Sequence, residues 1–290
     1  MRKFFVKRDV QEMVVVIVGA SSGIGRALAK LLASRGAKLV LIARRIELLE
    51  ELNTELGGQH YVIRADVSKR EDCERAIHRA FCCWGRIDTC VYCAGHGRME
   101  SFDKMTPDSI QSIIDTNFLG AVWCCRALIP LMKTQPERHG YTGQIILISS
   151  ACARRGVPFM APYTATKAAQ LSFAEALGPE LRTYNVAVTS VHPFTVRDTE
   201  FFSLIEKRSG CNPRAFVPGT MQTVEIVSET IYHSIERPRS EVWPKPFSRM
   251  ALVCSIIFRS LTDWVLIHRN CVLFRRDNEF RTTEKFETAK

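Results

Sequence analysis

Val14-Val15-Val16-Ile17-Val18-Gly19-Ala20-Ser21-Ser22-Gly23-Ile24-Gly25 decides the fold of this chain. A run of β-branched residues suits a strand buried on both faces. Glycines follow at once, and apolar residues then recur at helical spacing from Ile24 to Arg35. Glycine permits a tight bend and lets backbone approach a ligand, while a helix N-terminus offers free N–H groups and positive partial charge. Such a turn suits a pyrophosphate. A glycine-rich loop alone is a weak signal, and its place between strand and helix gives it weight. Gly19, Ser21, Ser22, Gly23, Ile24 and Gly25 are therefore the expected phosphate contacts.

Outward from this turn the same alternation continues. Strands are expected at Val14–Val18, Lys38–Ala43, His60–Ala65, Thr89–Cys93, Gln144–Ser149 and Val186–Val191. Helical patterns lie between them, among them Ile24–Arg35, Ile46–Leu56, Arg70–Trp84 and Ser109–Met132. Alternation of this kind calls for right-handed βαβ crossovers, hence a doubly wound α/β domain of Rossmann type. Helices should cover both faces of its parallel sheet. Residues 1–246 are assigned to this domain, including a substrate loop at 195–218. Two proline-containing segments, Arg237–Arg239 and Trp243–Pro246, bracket a short edge strand. Residues 247–290 form a helical extension and a tail. Its longest uncharged run, Met250–Phe258, is far shorter than the ~20 residues of a spanning helix. The extension reads as a cap over the core, a subunit contact or a helix lying on a membrane through 247–274.

Composition narrows the classes. The net charge of +10 favours an anionic ligand or surface, but the basic residues are scattered and form no nucleic-acid module. Nucleic acid is not expected as a partner. Eleven cysteines are an odd count in a chain of this length. With no secretory leader read at Met1–Glu12, they suggest reduced thiols in a cytoplasmic protein, membrane-associated if the extension contacts lipid. Cys90 and Cys93 have a metal-ligand spacing, yet no second pair completes a site, so no metal is expected.

The second strand ends Ala43-Arg44-Arg45. A site selective for NAD usually places a carboxylate here for the ribose hydroxyls, whereas Arg44 can pair with a 2′-phosphate. NADP(H) is the cofactor expected. Arg45 reads equally as a contact or a solvated side chain. Asp66 and Val67 end the third strand, where Asp66 could accept from the adenine amino group or cap a helix.

Tyr163 and Lys167 stand four residues apart and share a helix face. A neighbouring ammonium favours the phenolate and brings a phenol towards working pH. In this order the motifs resemble those of the short-chain dehydrogenase/reductase family, over about residues 13 to 245. Asn117, within Thr116–Gly120, resembles the family's helix asparagine, and Ser150 its catalytic serine. The resemblance implies a catalytic tetrad of Asn117, Ser150, Tyr163 and Lys167. Tyr163 would exchange a proton with the substrate oxygen, and Ser150 would stabilise charge there. Lys167 would hold the nicotinamide ribose. Asn117 would support a helix distortion and a water linking Lys167 to solvent.

The chain departs from the family pattern at two places. Tyr92-Cys93-Ala94-Gly95 has cysteine where an asparagine normally supports the sheet, although Ala94 and Gly95 still let a cofactor approach. Pro193-Phe194-Thr195-Val196-Arg197-Asp198 has Phe194 in place of glycine, so its backbone must avoid positive φ. Pro193, Val196 and the displaced Thr199 are expected near the carboxamide. Substrate-facing positions include His96, Met99, Phe102, Val157, Phe159, Met160, Phe201, Phe202, Leu204, Ile205 and Phe216, an apolar set suited to a lipophilic carbonyl or alcohol. Arg154 and Arg155 are expected at the rim, steering an anion or solvated. A homo-oligomer is compatible with this reading. The alternative is an NADP(H)-binding sensor or scaffold with little turnover.

Overall fold

β1 (Val14–Val18) is buried along its whole length and organises the rest. It lies between β2 (Lys38–Ala43) and β4 (Thr89–Tyr92), pairing with both in parallel. The computed structural model describes residues 7–197, 199–201, 203, 205 and 221–269. β3 (Tyr61–Arg64), β5 (Gly143–Ile148), β6 (Val186–Val191) and the short β7 (Glu241–Val242) extend the sheet. The strand order is β3-β2-β1-β4-β5-β6-β7, and every pairing is parallel. Order reverses between β1 and β4, which opens a crevice at their C-terminal ends.

Alternate residues of the strands feed two cores. Val15, Ile17, Leu39 and Leu41 pack on one face with α1 (Gly23–Ser34), α2 (Ile46–Glu55) and α7 (Val224–Glu236). Val16, Val18, Val40 and Ile42 pack on the other with α3 (Arg70–Trp84), α5 (Gly120–Thr134) and α6 (Ala161–Leu181). Free thiols of Cys73, Cys90, Cys124 and Cys125 are packed within the second core. At the N-terminal edge of the sheet, buried Arg8 donates to the Gln144 side chain at 2.7 Å and to the Asp88 carbonyl at 3.1 Å. Burial lowers its pKa to about 10, still high enough to keep it charged. This polar knot closes the end of the sheet opposite the crevice.

One expected helix is divided. The pattern over Ser109–Met132 resolves into α4 (Pro107–Ile114), a π-helical turn at Asp115–Leu119, and α5. The reason is tertiary. Tyr92 donates its hydroxyl to the Thr116 carbonyl at 2.5 Å, and Gln170 donates to the Asn117 carbonyl at 2.6 Å. Both carbonyls thus take side-chain donors within the π turn. The combined segment Pro107–Thr134 is long and apolar enough to cross a membrane, but half of its apolar window is buried inside the protein. After β7 come α8 (Pro246–Ile257) and α9 (Arg259–Arg269), which lie over the C-terminal ends of the central strands.

Candidate active site

The crevice is a continuous cavity of about 720 Å³ running from the glycine turn to α8 and α9. At one end, the backbone geometry is that of an anion site. Ser22 precedes α1 in an extended conformation and makes no side-chain cap, and no acidic residue stands in the first helical turn. The first N–H groups of α1 are thus left for a ligand. Gly19 has φ +90°, and a Cβ there would come within 2.6 Å of Ala94 N. A Cβ on Gly25 would strike the Gly19 carbonyl. These contacts are what glycine at both positions avoids, so the cradle fits a dinucleotide pyrophosphate.

Gly19, Ser21, Ser22, Gly23, Ile24, Gly25, Arg44, Val67, Cys93, Ala94, Gly95, Pro193, Val196 and Thr199 all line the cavity, together with Ser150, Tyr163 and Lys167. Asp66 is not among the lining residues. Its carboxylate accepts from Ser68 N and Ser68 Oγ, and the helix cap is Lys69. Arg44 is exposed at the cavity edge. Arg45 reaches Ser21 Oγ at 3.2 Å and Ser22 Oγ at 3.1 Å, and pairs with Glu200 at 2.8 Å. Both cations therefore flank the glycine turn, where a phosphate would meet them.

The departures from the family pattern have local explanations. The Cys93 backbone donates to Val18 at 2.8 Å, which continues the β1 ladder without an asparagine side chain. Burial pushes the Cys93 thiol up to about 12, so it is a neutral wall. Phe194 is absent from the positive-φ residues, as its side chain requires. Its N–H donates to buried Gln222 Oε1 at 3.2 Å, and Gln222 also brackets the segment through backbone bonds to Thr195 and Arg197. Asp198, Phe202, Leu204 and Phe216 lie outside the described residues.

Ser150, Tyr163, Lys167 and Asn117 converge beyond the nucleotide end. Tyr163 comes from the first turn of α6, Ser150 from the end of β5, and Asn117 from the π turn. Ser150 Oγ donates to the Pro193 carbonyl at 3.4 Å and accepts from Cys152 N at 3.4 Å, close enough to the Tyr163 phenol to affect its acidity. Burial of the Tyr163 hydroxyl end raises its pKa above that of a free phenol, and the neighbouring Ser150 offsets this only in part. The expected lowering by Lys167 is not the dominant effect here. Lys167 Nζ lies 5.8 Å from the Tyr163 ring centroid and donates to the Ile148 carbonyl at 2.7 Å and to Gln170 Oε1 at 3.0 Å. Burial depresses the Lys167 pKa to about 8, so its ammonium persists at neutral pH.

Asn117 stands in a helix distortion, the π turn. Its Oδ1 accepts from His96 N at 2.9 Å and its Nδ2 donates to the His96 carbonyl at 2.9 Å, which fixes the loop after β4. Its own carbonyl accepts from the Gln170 side chain at 2.6 Å. His192 was not singled out from sequence. Its ring stacks on Trp243 with centroids 4.7 Å apart and places Nδ1 3.2 Å from the Ser150 carbonyl. Burial lowers its pKa, so a neutral imidazole holds the serine's backbone.

The far end is apolar. Met99, Met160 and Ile205 form a small buried cluster on which Val157, Phe159, Tyr163 and Phe201 pack. Phe201 lies across the Tyr163 ring with centroids 5.3 Å apart. Phe102 points elsewhere and is largely exposed. Arg154 and Arg155 are not free cations at the rim. Arg154 pairs with Glu175 at 2.9 Å and Glu241 at 3.1 Å, and Arg155 pairs with Asp263 of α9. Leu252 and Ser255 of α8 and Thr262 of α9 complete the lining. An apolar helix was legible in this stretch, but which of its residues face the cavity was not.

Comparison with known proteins agrees with this geometry. Residues 13–209 match the family model described as short chain dehydrogenase, and the chain belongs to that family of oxidoreductases. It is 31% identical over 261 residues to the uncharacterised oxidoreductase YxnA of Bacillus subtilis, covering 88% of this chain and 72% of that protein. It is 40% identical over 185 residues to 11-beta-hydroxysteroid dehydrogenase 1A of Arabidopsis thaliana, with coverage of 62% and 51%. The chain thus spans about half the length of that plant relative. Among solved structures, a short chain dehydrogenase from Burkholderia cenocepacia in complex with NADP superposes with a TM-score of 0.72 at 25% identity, covering 89% of this chain and 99% of that one.

Proposed function

We propose that this protein is an NADP(H)-dependent oxidoreductase that interconverts a carbonyl group and its secondary alcohol on a lipophilic substrate. The observation that carries this reading is one cavity with an anion cradle and two arginines at one end, and Tyr163, Ser150 and an apolar lining at the other. NADP(H), when bound, would supply or take up the hydride. The amides of Gly19–Gly25 and the Arg44 and Arg45 guanidiniums would hold its phosphates. Ala94, Gly95, Pro193, Val196 and Thr199 would flank its nicotinamide half.

The chain's own part is proton handling and charge. With its pKa raised by burial, Tyr163 is a neutral phenol at working pH and can donate to a carbonyl oxygen in reduction. Ser150, beside that phenol, would hydrogen-bond the same oxygen and stabilise its developing charge. The Lys167 ammonium would favour the phenolate left behind. Val157, Met160, Phe201 and Leu252 line the end of the cavity away from the glycine turn, a wall that suits an apolar ketone.

A membrane surface is the proposed setting. Ile257, Phe258, Leu261 and Trp264 on α8 and α9 are each more than half exposed, and Arg249, Arg259 and Lys245 neighbour them in sequence. Apolar side chains flanked by cations suit an anionic lipid surface. The inner side of the same hairpin lines the cavity, so a lipid-dissolved substrate would have a short route in.

The test is NADPH oxidation with a panel of lipophilic ketones, run beside Tyr163→Phe. Turnover should fall about a thousandfold in the variant with NADPH affinity retained. Full turnover in the variant would remove the acid role. Tight NADPH binding with no ketone consumed by the unaltered protein would favour a sensor instead.

A further inference from the structure

We propose that Glu200 sets how strongly this site prefers a 2′-phosphate. Its carboxylate is an internal rival that occupies the Arg45 guanidinium on the glycine turn. It yields to a phosphorylated cofactor and stays in place for an unphosphorylated one. The inference rests on reading the glycine turn and its arginines as the cofactor site.

The ion pair sits where that rivalry would occur. Arg45, Glu200, Ser21 and Ser22 all line the nucleotide end of the cavity. Arg45 Nη2 donates to Glu200 Oε2 at 2.8 Å, and Nη1 donates to Oε1 at 3.3 Å. Both carboxylate oxygens thus meet the guanidinium fork, which is how that fork also takes a phosphate. The same Nη2 donates to Ser21 Oγ at 3.2 Å and to Ser22 Oγ at 3.1 Å. Those bonds draw the pair down onto the turn. A clasp arching over a bound nucleotide would instead keep the guanidinium clear of both hydroxyls.

Glu200 is delivered to the turn from far along the chain. It stands 155 positions after Arg45, in the segment beyond β6. Arg197 N donates to the Gln222 carbonyl at 2.9 Å, and Thr199 Oγ1 donates to the Val196 carbonyl at 3.1 Å. A Cβ on Gly23 would stand 3.6 Å from Thr199 Cγ2, so this segment lies against the turn one residue before Glu200. The first turn of α1 has no acidic residue of its own, and the rival carboxylate comes from Glu200.

Charge decides which anion wins. The Arg45 guanidinium holds the Glu200 carboxyl below the usual carboxylate range, so it is an anion at neutral pH. The two side chains are 48% and 47% exposed, and an ion pair so well wetted contributes little net stability. A phosphate brings more negative charge and a third acceptor oxygen. Glu200 is therefore displaced, but the gain is reduced by the pair that breaks and by the carboxylate left nearby. An unphosphorylated ribose carries neither penalty.

The experiment is calorimetric titration of the full chain with adenosine 2′,5′-bisphosphate and with adenosine 5′-monophosphate, which differ only in the 2′-phosphate. In Glu200→Gln the bisphosphate should bind about tenfold more tightly than in the parent, while the monophosphate stays within about twofold. Retained monophosphate binding also reports that the variant is folded. In an Arg45→Met background the gain from Glu200→Gln should vanish. Unchanged bisphosphate affinity in Glu200→Gln overturns the proposal, as does a gain that persists without Arg45. Weaker bisphosphate binding would overturn it in favour of a clasp. Failure of the cofactor reading would appear differently, as equal affinity of the parent for both nucleotides.

Discussion

The two ends of the cavity are built by different means. At the nucleotide end, backbone does the work. Helix α1 leaves its first N–H groups free, and Gly19 and Gly25 allow chain segments to approach where no Cβ would fit. At the substrate end the walls are side chains from separate segments: Val157 and Met160 ahead of α6, Phe201 beyond β6, and Leu252 from the C-terminal hairpin. A backbone cradle specifies a ligand class by geometry that few sequences can supply. A wall of apolar side chains specifies only size and polarity. Tyr163 and Lys167 stand between, and their energetics belong to neither end alone.

Breaking that boundary should give the largest effect. In the unfolded chain Lys167 titrates near 10.5, whereas in the fold burial brings it to about 8. Below pH 8 both states are protonated and the buried ammonium costs stability. Between pH 8 and 10.5 the folded state has lost its proton while the unfolded state still binds one, so this cost disappears as pH rises. Lys167→Met should therefore be more stable than the parent at pH 7 by up to about 3 kcal/mol, less the cost of unpairing Ile148 O and Gln170. Denaturant melts of the pair should converge as pH rises to 10. A gap independent of pH would show that the ammonium is not strained.

At the nucleotide end, Arg44→Asp should weaken NADPH about thirtyfold, roughly 2 kcal/mol for a charge-assisted contact, and leave NADH nearly unaffected. Titration of cofactor fluorescence reads this directly, and equal losses for both cofactors would mean that Arg44 does not meet the 2′-phosphate. At the substrate end, Leu252→Asp places a carboxylate in the apolar lining. It should raise the KM for a lipophilic ketone about tenfold, near 1.4 kcal/mol, with NADPH affinity unchanged. A shift in NADPH affinity of similar size would show that the two ends are not separable. The outer face should give the smallest effect. Trp264→Ser should reduce partition onto anionic vesicles about fivefold, near 1 kcal/mol, without altering turnover of dissolved substrate. Equal flotation of both proteins would remove the membrane setting.

How much of this was legible in the sequence follows the same division. Strands at Lys38–Ala43 and Val186–Val191 and the helix Arg70–Trp84 lie where the residues place them. Buried β-branched runs have few alternatives, and Gly85 ends its helix in the left-handed region at φ +70°. The glycine turn was equally plain, because its constraint is local. The π turn was expected only through the resemblance at Asn117, and its bonds to Tyr92 and Gln170 were not visible, because those partners come from distant parts of the chain. Gln170 itself was visible only as a polar residue one turn after Lys167. Its partner carbonyl lies 53 positions earlier in the chain. The rim arginines were misjudged for the same reason: the carboxylates that neutralise Arg154 and Arg155 come from α6, β7 and α9. Local periodicity fixes elements and faces, while a site assembled from distant segments depends on contacts that periodicity does not encode.

The proposed carbonyl reduction would draw on both ends of one cavity. Its most direct test is the rate of NADPH and NADH oxidation with a homologous series of ketones of increasing apolar size. kcat/KM should rise with ketone size until the cavity is filled, and NADPH should be preferred over NADH throughout. Rates independent of ketone size, or NADPH bound tightly while no ketone consumes it, would contradict it.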